Sequence, residues 1–106
     1  MTRGVFYGRA GCITGFLVDG HCTVDSADEN GRIACAAVSS AAYMTANTLT
    51  EIIGAQADIQ VEDGCMKCEI LSDAAPCQVI LQGFLLHMRQ LAAQYEKQIE
   101  VHSEVR

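Results

Sequence analysis

Between Ile33 and Ile53 the chain runs without a glycine or proline, and Val38, Ala42, Thr45, Leu49 and Ile52 recur at three- and four-residue steps. That period matches the turn of an α-helix, so the spacing predicts one long helix with a single apolar face. Asn30 or Gly31 stands where an N-terminal cap belongs. Gly54 follows the last periodic position, where a left-handed terminating residue favours glycine. An apolar stripe of this length must be buried against a second layer, and the flanking sequence supplies strands.

Upstream, Val5 to Tyr7 and Ile13 to Val18 are β-rich runs separated by Gly8-Arg9-Ala10-Gly11, which predicts a paired hairpin. Downstream, Ile59 and Val61 alternate with Gln60 and Glu62, and Met66, Cys68 and Ile70 alternate with Lys67 and Glu69. Asp63-Gly64 between those runs is a strong hairpin signal. A second helix is predicted after Ser72-Asp73, with Pro76 near its first turn and the stripe Cys77, Leu81, Phe84, Met88, Leu91 and Tyr95. Gln98 to His102 alternates again and predicts a final edge strand. The order β-β-α-β-β-α-β predicts an α+β, two-layer sandwich: a largely antiparallel sheet of four to five strands with two helices on one face. A length of 106 residues suits one core rather than two, so residues 1–106 are expected to form a single domain.

Composition narrows the function. The net charge is −6, and the seven basic residues are spread along the chain, which argues against direct nucleic-acid binding. A protein partner, basic in character, suits this balance better. No apolar stretch approaches the roughly 20 residues that cross a bilayer, and the N-terminus lacks the pattern of a secretory leader. A cytoplasmic location without membrane contact is expected, and in that reducing setting the six cysteines are expected to be thiols.

Two of the residues able to do chemistry are favoured by position. His21 follows Gly20 at the end of the second predicted strand, where the chain leaves the sheet. Cys35 falls in the first turn of the predicted long helix, across a polar and acidic stretch from His21 to Asn30 that reads as an exposed, mobile loop. Unpaired N–H groups and the positive end of the helix dipole favour thiolate over thiol there. A histidine within hydrogen-bond reach would form a thiolate–imidazolium pair and later protonate a leaving amine. The same helix end would offer N–H donors, that of Cys35 among them, to an oxyanion. A cysteine in an alanine-rich helix is nevertheless more often a packing residue, and a lone histidine more often a loop residue.

The segment Gly20-His21, a variable loop, then Gly31-Arg32-Ile33-Ala34-Cys35-Ala36-Ala37-Val38-Ser39 resembles the signature of the ribosomal-processing cysteine proteases called Prp. The likeness extends over nearly the whole chain, including the Asp58-Ile59 strand, the Asp63-Gly64 hairpin and the terminal amphipathic helix. It implies a small homodimeric, cofactor-free endopeptidase that removes the N-terminal extension of a large-subunit ribosomal protein precursor. It further implies His21 and Cys35 as the dyad, an aromatic substrate residue before the scissile bond, and a loop between the dyad residues that rearranges with substrate. Gly20, Arg32 and Ser39 are supporting candidates. Arg32 stands where the family commonly has Asp, a carboxylate that Asp25, Asp28 or Glu29 could replace from the loop. Ser39, one helical turn after Cys35, either serves the site or bonds back to a backbone carbonyl, the commoner role.

Other features carry less. Cys65-Met66-Lys67-Cys68 has metal or redox spacing, but a strand turns residues three apart to opposite sides and no second pair completes a zinc site, so no metal is expected. Cys22 reads as a loop cysteine beside His21, Cys12 and Cys77 as packing residues, His87 as a solvated or dimer-face residue, and His102 as lying near a frayed end. Val79, Ile80 and Leu86 lie outside the second helix's stripe, where a dimer partner or the remaining fold would cover them. Two other readings stand beside the protease: a non-catalytic, ribosome-associated dimeric binding module, motivated by Arg32, and a thiol redox protein using Cys65 and Cys68.

Overall fold

A computed structural model describes residues 1–20 and 29–106. In chain order the elements are β1 (Thr2–Arg9), β2 (Cys12–Asp19), α1 (Glu29–Asn47), a π-helical turn (Thr48–Ile52), β3 (Ala57–Glu62), β4 (Cys65–Ile70), a 3-10 turn (Ala75–Cys77), α2 (Gln78–Gln94) and β5 (Ile99–Val105). The strands form one sheet in the order β3-β4-β2-β1-β5. Three of the four neighbouring pairs are antiparallel, while β5 runs parallel to β1 with Thr2 opposite Ile99. The sheet is therefore mixed, with α1 and α2 on one face, as the α+β order predicts.

Alternation decides which side chains meet the helices. Phe6, Phe16 and Cys68 lie in one row across β1, β2 and β4, and Val18 and Met66 in the next. All five are buried with Val38, Ala42 and Leu49 from the first helical segment and Leu81, Phe84 and Met88 from α2. The three phenylalanine rings pack edge to face or tilted, with Phe84 at 5.3 Å from Phe6 and 5.0 Å from Phe16 between centroids. Such pairs add about 0.5–1.5 kcal/mol each beyond the area they bury. Gln78 fixes the start of α2 against β2: its Oε1 accepts from Ile13 N–H and its Nε2 donates to Ile13 O, both at 2.8 Å.

Two helix expectations need correction. Helix α1 already includes Glu29, Asn30 and Gly31, so neither Asn30 nor Gly31 caps it. A carboxylate at the positive end of the dipole favours the earlier start, and one glycine costs a helix only about 1 kcal/mol. The predicted apolar face also fails at its last member, because Ile52 is 80% exposed. Ile53 N–H donates to Thr48 O at 2.9 Å, a five-residue spacing that widens the turn and rotates Ile52 off the buried face. Gly54 then ends the segment with φ of 76°, as its position predicts. Among the described residues no helix is long and apolar enough to cross a membrane.

Candidate active site

Cys35 is half-buried on α1. It is the seventh described helical residue rather than a first-turn residue, so it lies beyond the four N–H groups that a helix leaves without an internal partner. The expectation that its own N–H serves an oxyanion fails for that reason, and the dipole acts on it more weakly. The expectation of thiols throughout also fails at this position. Cys12, Cys65, Cys68 and Cys77 are free, whereas Cys35 is disulfide-bonded. A disulfide needs a second sulfur about 2 Å away, a condition of proximity that an argument from cellular redox balance does not address.

Cys35 lines a cavity walled on one side by Val38, Ser39, Ala42 and Tyr43 of the same helix. The opposite wall comes from Val18 and Asp19 of β2, Val61 and Glu62 of β3, and Cys65 and Met66 of β4, with Thr2, Gly20 and Gly64 at its end. Three successive strands put Asp19, Cys65 and Glu62 side by side in one row. Asp19 is held by Arg3, whose Nε and Nη2 donate to Oδ1 and Oδ2 at 3.2 and 2.9 Å. Among the described residues Glu62 has no such ion pair. Burial, and then the nearby carboxylates Asp19 and Glu62, push the Cys65 thiol above its ordinary pKa.

Gly20 shapes the end of the cavity. Its φ is +130°, and a Cβ there would lie 2.3 Å from Met1 O and 2.6 Å from Thr2 Cα. Its N–H donates to Gly64 O at 3.1 Å, tying the end of β2 to the β3–β4 hairpin. Only glycine lets the chain pass this close to β1 at this backbone angle.

Of the candidate residues, then, Cys35, Ser39 and Gly20 meet in one cavity. Arg32 is exposed on α1 and is not part of its lining. His21, Cys22, Asp25 and Asp28 lie outside the described residues. Glu29 opens α1 and is exposed. Sequence reasoning missed Glu62, Tyr43 and Thr2. Asp19 was visible only as a neighbour of Gly20-His21, and nothing local in the alternation of β3 distinguishes Glu62 from Gln60.

The remaining candidates fall elsewhere. Cys68 is in the core beside Cys77, on the helix side of the sheet, whereas Cys65 borders the cavity at the start of β4 and, three residues away, turns its side chain to the other face, so the two thiols occupy opposite sides of β4. Burial pushes the Cys68 thiol up to about 11. Among the described residues no group of three or more His, Cys, Asp or Glu could hold a metal ion. His87 is exposed on α2, and His102 lies 3.6 Å from Glu100 at the surface.

The fold is shared with solved structures. SMU.848 from Streptococcus mutans superposes with a TM-score of 0.85 at 23% identity, covering 100% of this chain and 96% of that one. The essential ribosomal processing protease Prp from S. aureus superposes with a TM-score of 0.86 in complex with a substrate peptide. With a covalently linked product peptide its TM-score is 0.84. In both cases the identity is 20%, with 97% of this chain and 99% of that one covered. No curated protein sequence matches the chain. The family model described as Cysteine protease Prp matches residues 1–100, and the chain belongs to that family of cysteine proteases.

Proposed function

We propose that this chain is a cysteine endopeptidase that removes the N-terminal extension of a large-subunit ribosomal protein precursor, with Cys35 as nucleophile and His21 as general base. The observation that carries the reading is the placement of Cys35 in a cavity that also takes in Asp19 and Gly20, the residues leading directly to His21. Family membership and the peptides bound in the S. aureus structures support it. In the reaction the reduced Cys35 sulfur attacks the scissile carbonyl after its proton passes to His21. The tetrahedral intermediate collapses as His21 returns that proton to the leaving amine. Water, deprotonated by His21, then releases the acyl group and regenerates the thiol. Gly20 fixes the end of β2 directly before His21 in the sequence, Ser39 lines the cavity one helical turn from Cys35, and no cofactor takes part.

The protein acts in the cytoplasm as a homodimer. Met44 on α1 and Leu86 on α2, 59% and 57% exposed, offer apolar surface on the helix layer to a second copy. Light scattering on the eluted protein should give twice the 11.4 kDa of one chain.

Incubating the reduced protein with the precursor from the same cell tests the chemistry. One new N-terminus, seen by mass spectrometry and lost in Cys35→Ala and His21→Ala, is the expected result. An intact precursor would refute proteolysis and favour the second reading, a non-catalytic binding module, which Arg32 in place of the family's usual Asp motivates.

A further inference from the structure

Among the described residues the sheet has two edges, β3 and β5, and of these β3 alone reaches the cavity of Cys35. Among the described residues β3 pairs with β4 alone, so the other side of its backbone presents a row of unpaired N–H and C=O groups. Its last two residues, Val61 and Glu62, form part of the cavity wall, and Val61 is 51% exposed. The edge is thus continuous with the place where Cys35 sits. Its charged side chains, Asp58 and Glu62, are both acidic, lie four residues apart and so share one face of the strand. Lysine and arginine are absent from the whole segment Ala57–Glu62.

We propose that the substrate docks by adding an extended, basic strand to the free edge of β3, which delivers its scissile bond to Cys35. This rests on the proteolytic reading above. Main-chain hydrogen bonds to an edge supply affinity irrespective of side chains, and alternate side chains of the added strand supply specificity. Here one set of alternate side chains meets Asp58 and Glu62, so lysine or arginine is favoured there. The complementary set faces the helix-lined side, where Tyr43 and Val61 offer apolar contact.

Two measurements test the docking on the whole chain, using the precursor peptide that the reduced wild-type protein cleaves. The first is backbone N-methylation of that peptide, one amide at a time. Docking on the edge requires kcat/KM to fall by roughly tenfold at every second position and little between, since each methyl removes one donor. The second is hydrogen exchange in Cys35→Ala with the uncleaved peptide bound. Alternate amides of residues 57–62 should gain protection, those of β5 should not, and replacing the peptide's basic residues by glutamine should weaken binding. Normal cleavage of the parent peptide with uniform tolerance of N-methylation, or protection without the 57–62 pattern, would overturn the docking mode and leave the protease standing. Failure to cleave the parent peptide would overturn both.

Discussion

Replacing Gly20 by alanine should damage this protein out of proportion to one methyl group. The residue sits at φ +130°, where a side chain brings strain of about 1–3 kcal/mol. The new Cβ would also meet Met1 O at 2.3 Å and Thr2 Cα at 2.6 Å, both backbone atoms that cannot swing aside. Forcing them apart adds about 1–3 kcal/mol by analogy with overpacked sites. The total, about 2–6 kcal/mol, is a large share of the stability of a small domain, commonly about 5–15 kcal/mol. Gly83 provides the control, because it lies inside α2 with nothing within 4 Å of a built Cβ. Alanine there should stabilise by about 0.5–1 kcal/mol through helix propensity alone. Urea unfolding of the two variants beside the wild type is the assay, supported by melting temperatures that move about 4 °C per kcal/mol at this size. If Gly20→Ala unfolds within about 0.5 kcal/mol of the wild type, the close approach of β2 to the start of β1 is not what requires glycine, and the account of the cavity's end falls with it.

Leu81→Ala, which empties a fully buried site between α2 and the sheet, should cost about 2–5 kcal/mol in the same urea assay, and a loss under about 1 kcal/mol would contradict its core placement. Cys68 has a folded pKa of about 11 against an ordinary 9.0, so the folded state binds its proton more tightly than the unfolded state does. That stabilisation is complete below pH 9 and is lost as pH rises toward 11. The urea midpoint should therefore fall over that interval, more steeply in the wild type than in Cys68→Ala. Equal slopes would refute the assignment. Because Cys35 is disulfide-bonded here, peptide cleavage should require a dithiol reductant that opens the bond and should vanish on re-oxidation. Full turnover by the oxidised protein would exclude Cys35 as the nucleophile.

Periodicity made most of the fold legible. The second helix's stripe from Cys77 to Leu91 is buried as its spacing requires, because a regular helix translates sequence spacing directly into direction. The same reasoning fails at Ile52, where one five-residue hydrogen bond breaks the period that the pattern assumes. The pairing of β5 with β1 was illegible for another reason: alternation identifies a strand but carries no information about its partner or direction. The site shows the same division. Cys35 stood out through its local surroundings, whereas Glu62 came into view only once β3, β4 and β2 were laid side by side. A cavity wall assembled from separate strands leaves no signal in any one of them.

The parallel pairing of β5 with β1 joins residues from opposite ends of the described chain, Thr2 to Ile99 and Gly8 to Val105. On a growing chain β1 can form its hairpin with β2 early, but its other edge must wait until β5, and with it every element between the two, has been synthesised. Such pairings are slow to form because the intervening chain has to be closed into a loop first. During that wait Val5 and Tyr7, buried at 4% and 9% exposure in the finished protein, belong to a strand with an open edge that invites pairing with another chain. Strand β5 therefore acts as the latch on β1, and removing it should betray itself in aggregation during synthesis before any loss of activity can be measured.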